Sequence, residues 1–347
     1  MTLQTYKGAL LFAPCESRTL GLAAAQEAGI ELADLEERQY EGGEFKLRPL
    51  QSVRDRAVFV MQSLAGTPDA PIAQRLVRLL FLLQGLRDAG AGPVIAVVPY
   101  LSYARKDRRN RPRDPVYTRY VAQLLEASRA DRLITLDVHN AAALDNAFRI
   151  PVDHLSALPM MAAHFSQHAA PARWAVASPD VGGIKRAQLF RDLLERTLGT
   201  DIELIFIEKR RDGGVVSGGG AIVGNARGRT VVILDDLCAS GATLVRAAAA
   251  LRAAGAASIQ VAVTHVPVES GLAALAAAPD IAQVVTTDSV GCLIRPDDPA
   301  GHGNIPPTDV RKVIVLPIGP LLGCAMARMI RGDPLAPLHE HWPVPRT

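Results

Sequence analysis

The sequence predicts an α/β protein made of two successive halves, each a mostly parallel sheet flanked by helices. Unbroken apolar runs, such as VIAVV at 94–98 and VVIL at 231–234, are typical of parallel strands buried on both faces. Helical patterns of ten or more residues separate these runs, which indicates right-handed βαβ crossovers. The alternation begins again near residue 174, and a length of 347 residues favours about two domains.

The composition argues against a nucleic-acid-binding protein. Aromatic residues make up only 5% of the chain, which is too few for a base-stacking platform. The formal net charge of +3 is too small to demand a polyanionic partner. Hydrophobic residues make up 49% of the chain, which is enough for a large core. We therefore expect a globular protein without a nucleic-acid partner.

No signal peptide or membrane span is expected from the sequence. The first apolar run, at 9–13, is too short for a signal peptide, and the longest apolar helical run, at 72–86, carries Arg75 and Arg78. The cysteines are isolated, without metal-ligand or disulfide spacing, at positions 15, 238, 292 and 324. These features predict a protein of the reducing cytoplasm, with no membrane partner.

The first half alternates predicted strands and helices. Strands are predicted at 8–14, 32–37, 57–61, 94–98 and 132–138. A helix is predicted at 72–86 from the spacing of its apolar residues, and a further helix at about 117–127. An earlier helix runs to Ala28, with Ser17 as its N-cap and Gly29 as its stop signal.

A β-hairpin is predicted at 38–49, in the segment RQYEGGEFKLRP. Phe45 and Leu47 alternate with polar residues, and Gly42-Gly43 supplies the turn. A purely structural hairpin is one interpretation of this segment, and a ligand-contacting hairpin is the other.

A dense basic segment follows the predicted strand at 94–98. Six of the nine residues from Arg105 to Arg113 are Lys or Arg. The segment lies at the carboxyl end of a buried strand, where open α/β sheets bind ligands, and a polyphosphate would need this density of cations. A solvated charge run and a nucleic-acid patch are the alternatives.

His139 lies at the end of the predicted strand at 132–138, beside Asp137. Its place at the carboxyl end of a strand favours a ligand-facing role. A purely structural histidine remains the alternative.

The second half repeats the alternation. Strands are predicted at 174–177, 204–207, 231–234, 259–263, 284–287 and 313–316. After the first of these, Asp180 and Gly182-Gly183 begin a second strand-turn-helix unit. Lys185 and Arg186 then fall in the first helical turn, where they oppose the helix dipole unless an anion pairs with them. This local conflict indicates a functional site.

A glycine-rich segment follows the predicted strand at 204–207. EKRR at 208–211 precedes Gly213, Gly214 and the glycines at 218–220. Cations at the root of such a loop suggest a lid that closes over phosphates. A flexible surface hairpin with solvated charges is the alternative.

The most informative stretch is VVILDDLCASGATLVRAAAAL at 231–251. Asp235 and Asp236 come where the predicted strand ends, and a turn of small residues leads into a helix. Backbone N–H groups at such a turn bind anions, and the hydroxyl groups of Ser240 and Thr243 add donors. The two carboxylates suit sugar hydroxyls or a metal ion. Simple capping of the helix is the alternative.

This stretch resembles the phosphoribosyl-pyrophosphate (PRPP) motif of type I phosphoribosyltransferases and ribose-phosphate pyrophosphokinases. Four further segments occur in the order and at the spacing of the second group over about 8–330, and phosphoribosyltransferases do not share them. These segments are PYLSYARKDRR, TLDVHN, SPDVGGIKR and EKRR. The chain is therefore identified as a divergent member of the ribose-phosphate pyrophosphokinase family.

The resemblance implies a magnesium-dependent transferase of nucleotide biosynthesis. Such enzymes transfer the diphosphoryl group of ATP to the 1-hydroxyl of ribose 5-phosphate, giving PRPP and AMP. The residues that match the family's ATP site are Tyr40, Glu44, Arg105, Lys106 and Asp107. Those that match its ribose 5-phosphate site are Asp235, Asp236, Ser240, Gly241, Ala242 and Thr243. Its catalytic residues correspond to Lys209, Arg211 and His139, and its Mg²⁺ residues to His139 and Asp180.

The resemblance also implies the domain organisation and assembly. It predicts a nucleotide-side domain at 1–157, a PRPP-motif domain at 158–332 and a surface tail at 333–347. Both domains are expected to have the type I phosphoribosyltransferase fold. Homodimers or homohexamers are expected, with ATP sites that borrow residues from a neighbouring subunit.

Several positions depart from the family pattern. Gly42 stands where Asp or Asn is usual, Tyr40 replaces Phe, and Lys106 replaces Gln. Ala239 replaces an Asp and Ala242 a Gly. The loop at 291–310 is also longer than expected. A non-catalytic regulatory paralogue and a phosphoribosyltransferase that consumes PRPP are therefore kept as alternative functions.

Overall fold

The structure is a computed structural model that describes residues 6, 8–67, 70–167, 173–208, 211–212, 215–216, 221–291 and 307–342. The chain divides into two compact units. The first consists of Met1–Ser156, Ser289–Gly291 and Pro317–Leu338. The second is built on Ala157–Asp288 and the strand Val313–Leu316.

Eleven helices occur in the described part of the chain. In chain order they are α1 (Arg18–Ala28), α2 (Ile72–Asp88), α3 (Tyr117–Ala127), α4 (Ala141–Ala147), α5 (Leu158–Gln167), α6 (Ile184–Leu198), α7 (Ala242–Ala253), α8 (Glu269–Ala277), α9 (Pro307–Val310), α10 (Gly319–Arg331) and α11 (Pro337–Glu340). Each helix predicted from apolar spacing is present, because one face of each is apolar and packs on a sheet or on another helix.

The first unit contains one parallel sheet and a separate hairpin. Its strands are β1 (Leu10–Phe12), β2 (Glu31–Leu32), β3 (Leu35–Gln39), β4 (Phe45–Pro49), β5 (Val58–Met61), β6 (Val94–Val98), β7 (Arg132–Leu136) and β8 (Val152–Leu155). The six-stranded sheet has the order β2-β1-β5-β6-β7-β8, and all of its pairings are parallel. The antiparallel strands β3 and β4 form the predicted hairpin.

Two local expectations for this unit differ from the structure. The strand predicted at 32–37 is not continuous: it is divided between the end of β2 and the start of β3, because the backbone of Asp34 bonds to Leu50 and to the Gln51 side chain. Ser17 flanks α1, but its hydroxyl oxygen accepts the Ser63 N–H at 3.0 Å and does not cap the helix.

The second unit has the same kind of sheet. Its strands are β9 (Trp174–Ser178), β10 (Glu203–Glu208), β11 (Arg211–Asp212), β12 (Val215–Val216), β13 (Ala221–Val223), β14 (Thr230–Leu237), β15 (Ser258–His265), β16 (Gln283–Thr287) and β17 (Val313–Leu316). The seven-stranded sheet has the order β13-β10-β9-β14-β15-β16-β17, in which β13 alone is antiparallel to its neighbour. Strands β11 and β12 pair separately. The predicted fold class, two mostly parallel sheets with flanking helices, is confirmed.

The division of the chain differs from the predicted domain limits at its C-terminal end. Sequence order places 317–332 in the second domain, whereas the structure places α10 in the first unit, packed on α1. The approach is close because α10 presents glycines: a Cβ on Gly319 would lie 2.5 Å from the Ala23 Cβ, and one on Gly323 would lie 2.6 Å from the Ala24 carbonyl oxygen.

The segment at 333–347, predicted as a surface tail, is exposed at most of its described positions. Leu335 and Trp342 are half-buried, and Leu338 is only 7% exposed. Most of the predicted loop at 291–310 lies outside the described residues, and its last four residues form α9. Among the described helices, none has both the length and the apolar character needed to cross a membrane.

Candidate functional site

The acidic pair of the second unit lies inside a strand. Strand β14 continues through Asp235 and Asp236 to Leu237, because Asp235 and Leu237 still pair with β15. The Asp236 N–H donates a 2.9 Å hydrogen bond to Oδ1 of Asp235. Asp236 is only 4% exposed and Asp235 is half-buried, so two neighbouring carboxylates are partly removed from water at this point.

Arg186 is a counter-ion of this pair. Its guanidinium donates a 2.8 Å hydrogen bond to Oδ1 of Asp236 and lies 3.7 Å from Oδ1 of Asp235. The conflict between Arg186 and the dipole of α6 is therefore offset by the anion that the sequence analysis required but did not identify. Burial raises the pKa of Asp235, the neighbouring Asp236 raises it further, and Arg186 opposes both effects.

The predicted phosphate cup follows the acidic pair. Gly241 adopts φ +75°, a left-handed conformation that suits glycine, and α7 begins at Ala242. The first N–H groups of a helix have no acceptor within it, so they are available to an anion. Ser240 is exposed and Thr243 is half-buried. The structure therefore brings Ser240, Gly241, Ala242 and Thr243 together in one turn.

Helix α8 supports this cup by close backbone contact. A Cβ on Gly271 would lie 2.2 Å from the carbonyl oxygen of Ala239. A Cβ on Gly241 would in turn lie 3.0 Å from the carbonyl oxygen of Gly271. This support was not predicted from the sequence, because Gly271 lies about thirty residues from the motif and shows no local signal.

Asp180 lies in a compact turn at the entrance to α6. Its Oδ1 accepts the Gly182 N–H at 3.1 Å, and Ser178 Oγ donates to its backbone carbonyl at 2.6 Å. Gly183 is needed here, because a Cβ at this position would lie 2.6 Å from Ser178 Oγ. The carboxylate of Asp180 is thus held by the loop that bears it.

In the first unit, the basic segment closes around Asp114. The Lys106 ammonium donates to Asp114 Oδ2 at 2.7 Å, and the N–H groups of Asn110 and Arg111 donate to the same oxygen at 3.1 Å each. These bonds, that of Lys106 foremost, lower the pKa of Asp114. Asp114 was not predicted as part of this segment. Its carboxylate holds the loop together by accepting hydrogen bonds within a run of positive charges.

A hydrogen bond connects this segment to the one that bears His139. Asn140 donates from Nδ2 to Oδ2 of Asp107 at 2.6 Å, and its own Oδ1 accepts the Ala143 N–H at the start of α4. His139, which precedes Asn140, is exposed. The structure therefore brings the predicted ATP segment close to His139, although the two lie about thirty residues apart in sequence.

The hairpin presents Tyr40 and Glu44 on either side of its tip. The Tyr40 N–H donates to the Glu44 carbonyl at 2.8 Å, and the Tyr40 ring is 43% exposed. Gly42 adopts φ +84°, so the residue that departs from the family pattern occupies a left-handed position of the turn.

Some predicted site residues stay predictions. Lys209 lies outside the described residues, and only the backbone of Arg211 is described, in β11. His139 belongs to the first unit and Asp180 to the second, so their shared role at one metal ion is also a prediction.

Comparisons with known proteins point to the same family for both halves of the chain. A sequence model described as the N-terminal domain of ribose phosphate pyrophosphokinase matches residues 9–128, and a phosphoribosyl transferase domain model matches residues 160–285. The putative ribose-phosphate pyrophosphokinase 2 of Lactiplantibacillus plantarum is 32% identical over 347 residues, covering 99% of this chain and 98% of that protein. Ribose-phosphate pyrophosphokinase 1 of Streptococcus pneumoniae (strain TIGR4) is 32% identical over 332 residues, covering 95% of this chain and 96% of that protein.

A solved structure agrees with the sequence relatives. The crystal structure of phosphoribosylpyrophosphate synthetase from Mycobacterium smegmatis is similar with a TM-score of 0.80 and 28% sequence identity. The similarity covers 94% of this chain and 100% of that chain. The two sheets and the acidic pair followed by a small-residue turn define a protein with two phosphoribosyltransferase-type domains. More narrowly, the chain belongs to the ribose-phosphate pyrophosphokinase family of enzymes.

Proposed function

We propose that this enzyme transfers the β,γ-diphosphoryl group of ATP to the 1-hydroxyl of ribose 5-phosphate, giving PRPP and AMP. The observation that carries the proposal is the site in the second unit. A half-buried and a buried carboxylate at the end of β14 are followed, within one short turn, by a left-handed glycine and a helix N-terminus there. Both the anionic and the hydroxyl-bearing parts of a sugar phosphate find suitable groups in this arrangement.

In this proposal the acidic pair accepts hydrogen bonds from the ribose hydroxyls. The phosphate lies against the turn from Ser240 to Thr243, where the N–H groups at the start of α7 and two hydroxyls donate to it. Asp235 and Asp236 cannot serve the phosphate themselves, since like charges repel. Arg186 holds the pair in place and limits the cost of its burial.

The first unit supplies the proposed ATP groups. Arg105 is exposed, and its guanidinium makes no ion pair within the described residues, which leaves it available to a triphosphate. Lys106 is already paired with Asp114, so its assignment to ATP requires exchange of that partner or a shared contact. Tyr40 and Glu44 of the hairpin tip are assigned to the adenine end.

Mg²⁺ is the proposed cofactor, and one of the two predicted residues fits it well. Asp180 offers carboxylate oxygens, which Mg²⁺ prefers, on a loop that fixes the side chain. His139 offers nitrogen, which suits Mg²⁺ less, so we assign it to the water shell of the ion. When bound, Mg²⁺ would neutralise charge on the phosphate oxygens, and the protein's own residues orient the two substrates.

No nucleophilic side chain is needed for this reaction, because the sugar hydroxyl attacks the β-phosphorus of ATP and AMP leaves. The demand on the protein is positioning and charge neutralisation. Lys209 and Arg211 are assigned to the second of these tasks, on the basis of the EKRR segment.

The test is direct. The full chain is incubated with MgCl₂, ATP and ribose 5-phosphate, and the products are followed by phosphorus NMR. Appearance of AMP together with a sugar diphosphorylated at O1 is the expected result. Turnover only with a different nucleotide would replace ATP as the assigned diphosphoryl donor. Absence of turnover with every nucleoside triphosphate would contradict the proposal.

The assembly is a separate part of the proposal. By similarity to the family, we propose a homodimer or homohexamer, in which a neighbouring copy completes the ATP site. Multi-angle light scattering of the purified chain decides between these states and a monomer.

A further inference from the structure

The hairpin of β3 and β4 stands outside the six-stranded sheet, as a two-stranded sheet of its own. Its tip is a defined turn, closed by the hydrogen bond from the Tyr40 N–H to the Glu44 carbonyl. The direction in which the tip points is therefore decided by how the strands of the hairpin are held to the rest of the first unit.

The hairpin is held by Arg78 of α2, which is only 5% exposed. A terminal nitrogen of its guanidinium donates to Oε2 of Glu37 in β3. Its Nε lies 3.3 Å from Oε1 of Glu16, in the turn after β1. Its central carbon lies 5.3 Å from the centroid of the Phe45 ring in β4. One buried cation thus contacts both strands of the hairpin and the turn after β1.

Glu37 adds a second connection to the same turn. Its Oε1 accepts the Cys15 N–H at 2.8 Å, while Oε2 bonds to Arg78. Phe45 packs in turn on Phe81 of α2, with ring centroids 5.7 Å apart. The polar contacts and the ring contact therefore converge on the strands of the hairpin from one side.

The cluster of Cys15, Glu16 and Glu37 has ligand atoms within 4.8 Å of one another, as a metal site would. Both carboxylates, however, already neutralise Arg78, so a cation there would compete with the guanidinium. The cluster is better explained as an anchor. Removing one partner of a buried ion pair leaves the other charge uncompensated, which makes such an anchor sensitive to a single substitution.

We propose that Arg78 and Glu37 form a positioning pair that fixes the hairpin tip, and with it Tyr40 and Glu44, for nucleotide binding. The pair sets the affinity for the nucleotide without touching it. This inference rests on the proposed function for the identity of the ligand. The anchor itself rests only on the contacts of the first unit.

The kinetic test uses Glu37→Gln, which keeps the shape of the side chain and removes its charge. The matched control is Glu36→Gln, because Glu36 points to the opposite face of β3 and pairs with Lys46 and Arg48 there. We expect Glu37→Gln to raise the KM for ATP about tenfold, with the KM for ribose 5-phosphate changed less than about twofold. Glu36→Gln is expected to leave both values unchanged.

Amide hydrogen exchange of the full chain gives a readout that does not depend on activity. In Glu37→Gln the amides of β3 and β4 are expected to exchange about tenfold faster, while those of β5 are unchanged. Arg78→Met is the second variant, with the same expectations, and Glu37→Gln alone carries the test if Arg78→Met does not fold.

The outcomes separate the two proposals. Unchanged exchange in the hairpin overturns the anchor. Faster exchange with no change in the KM for ATP, or with an equal change in both KM values, overturns the positioning role. A wild-type chain that forms no PRPP overturns the proposed function and the nucleotide role together, whereas the exchange measurement still decides the anchor.

Discussion

Arg186, in the first turn of α6, donates a 2.8 Å hydrogen bond to Asp236, near the end of β14. The two residues are fifty positions apart in the chain. Their contact places a cation where the helix dipole disfavours one, and it places a carboxylate where burial disfavours one. Each charge stabilises the other, so removal of either one would leave its partner in an unfavourable place.

Replacement of Arg186 by Gln should weaken sugar-phosphate binding. Without the guanidinium, the pair of carboxylates loses its counter-charge and its orientation, so we expect the KM for ribose 5-phosphate to rise about tenfold or more. Steady-state kinetics at saturating ATP measure this change. Lys185→Gln is the matched control, since Lys185 is exposed in the same helical turn, and an equal effect in both variants would refute the specific role of Arg186.

The raised pKa of Asp235 predicts how stability depends on pH. The pKa of Asp235 in the folded protein lies above its unfolded value of about 4. The fold therefore becomes less stable as the pH rises from the unfolded pKa to the folded one, because the unfolded chain releases the proton first. Asp235→Asn removes this penalty while its side-chain oxygen still accepts the Asp236 N–H. We therefore expect Asp235→Asn to stabilise the fold more at about pH 8 than at about pH 5, by thermal unfolding. A stabilisation that is equal at both pH values, or larger at the lower one, would contradict the assignment.

Two substitutions of Asn140 separate its two hydrogen bonds. Asn140→Asp keeps the oxygen that caps α4 but sets a second carboxylate against Asp107, so the KM for ATP should rise severalfold with little loss of stability. Asn140→Ala loses both bonds. Loss of the cap hydrogen bond should lower the free energy of unfolding by about 0.5–2 kcal/mol in addition. Kinetics and chemical denaturation together measure the difference. Unchanged KM values in both variants would remove the link between the ATP segment and the segment of His139.

Gly271→Ala should damage the phosphate cup from outside it. The added methyl group would overlap the carbonyl oxygen of Ala239, so either α8 or the cup must move. We expect a lower melting temperature and a raised KM for ribose 5-phosphate. Gly85→Ala in α2 is the control: its Cβ meets nothing within 4 Å, and the loss of a mid-helix glycine should stabilise by roughly 0.5–1 kcal/mol. Similar behaviour of the two variants would exclude a steric role for Gly271.

Lys209→Ala should reduce turnover by orders of magnitude with little effect on folding, because a cation assigned to charge neutralisation acts mainly on the charge of the transition state. Single-turnover kinetics and circular dichroism check the two parts of this expectation. Turnover equal to that of the wild-type chain would remove the segment at 208–211 from the mechanism.

Most strands of the two sheets, and helices such as α2 and α3, were predictable because their signals are local, whereas α4, β8 and α5 were not predicted. The apolar run at 94–98 and the regular spacing at 72–86 mark elements whose burial pattern depends on nothing distant. The interruption of the strand predicted at 32–37 was not predictable for the converse reason, since the backbone of Asp34 bonds to Leu50 and to the Gln51 side chain. Contacts of this kind leave no periodic trace in the segment itself.

The site residues likewise divide into those with a local sequence signal and those that depend on distant contacts. Asp235, Asp236 and the cup were visible from their order along one strand, turn and helix. Arg186 was visible only as a conflict with its helix, without its partner. Gly271 gave no sequence signal for its contact with the cup, because steric contact with a distant carbonyl is not encoded near either residue.

The sequence by itself determined the class of fold, the order of most of its elements and the candidate residues. These features are predictable because periodicity and motif spacing depend only on residues that are close together in the chain. Only the tertiary structure decided that α10 packs on α1 in the first unit, that Arg186 neutralises the acidic pair, and that Arg78 anchors the hairpin. These contacts join residues about forty to three hundred positions apart in the chain, whose shapes and charges meet only after the chain has folded.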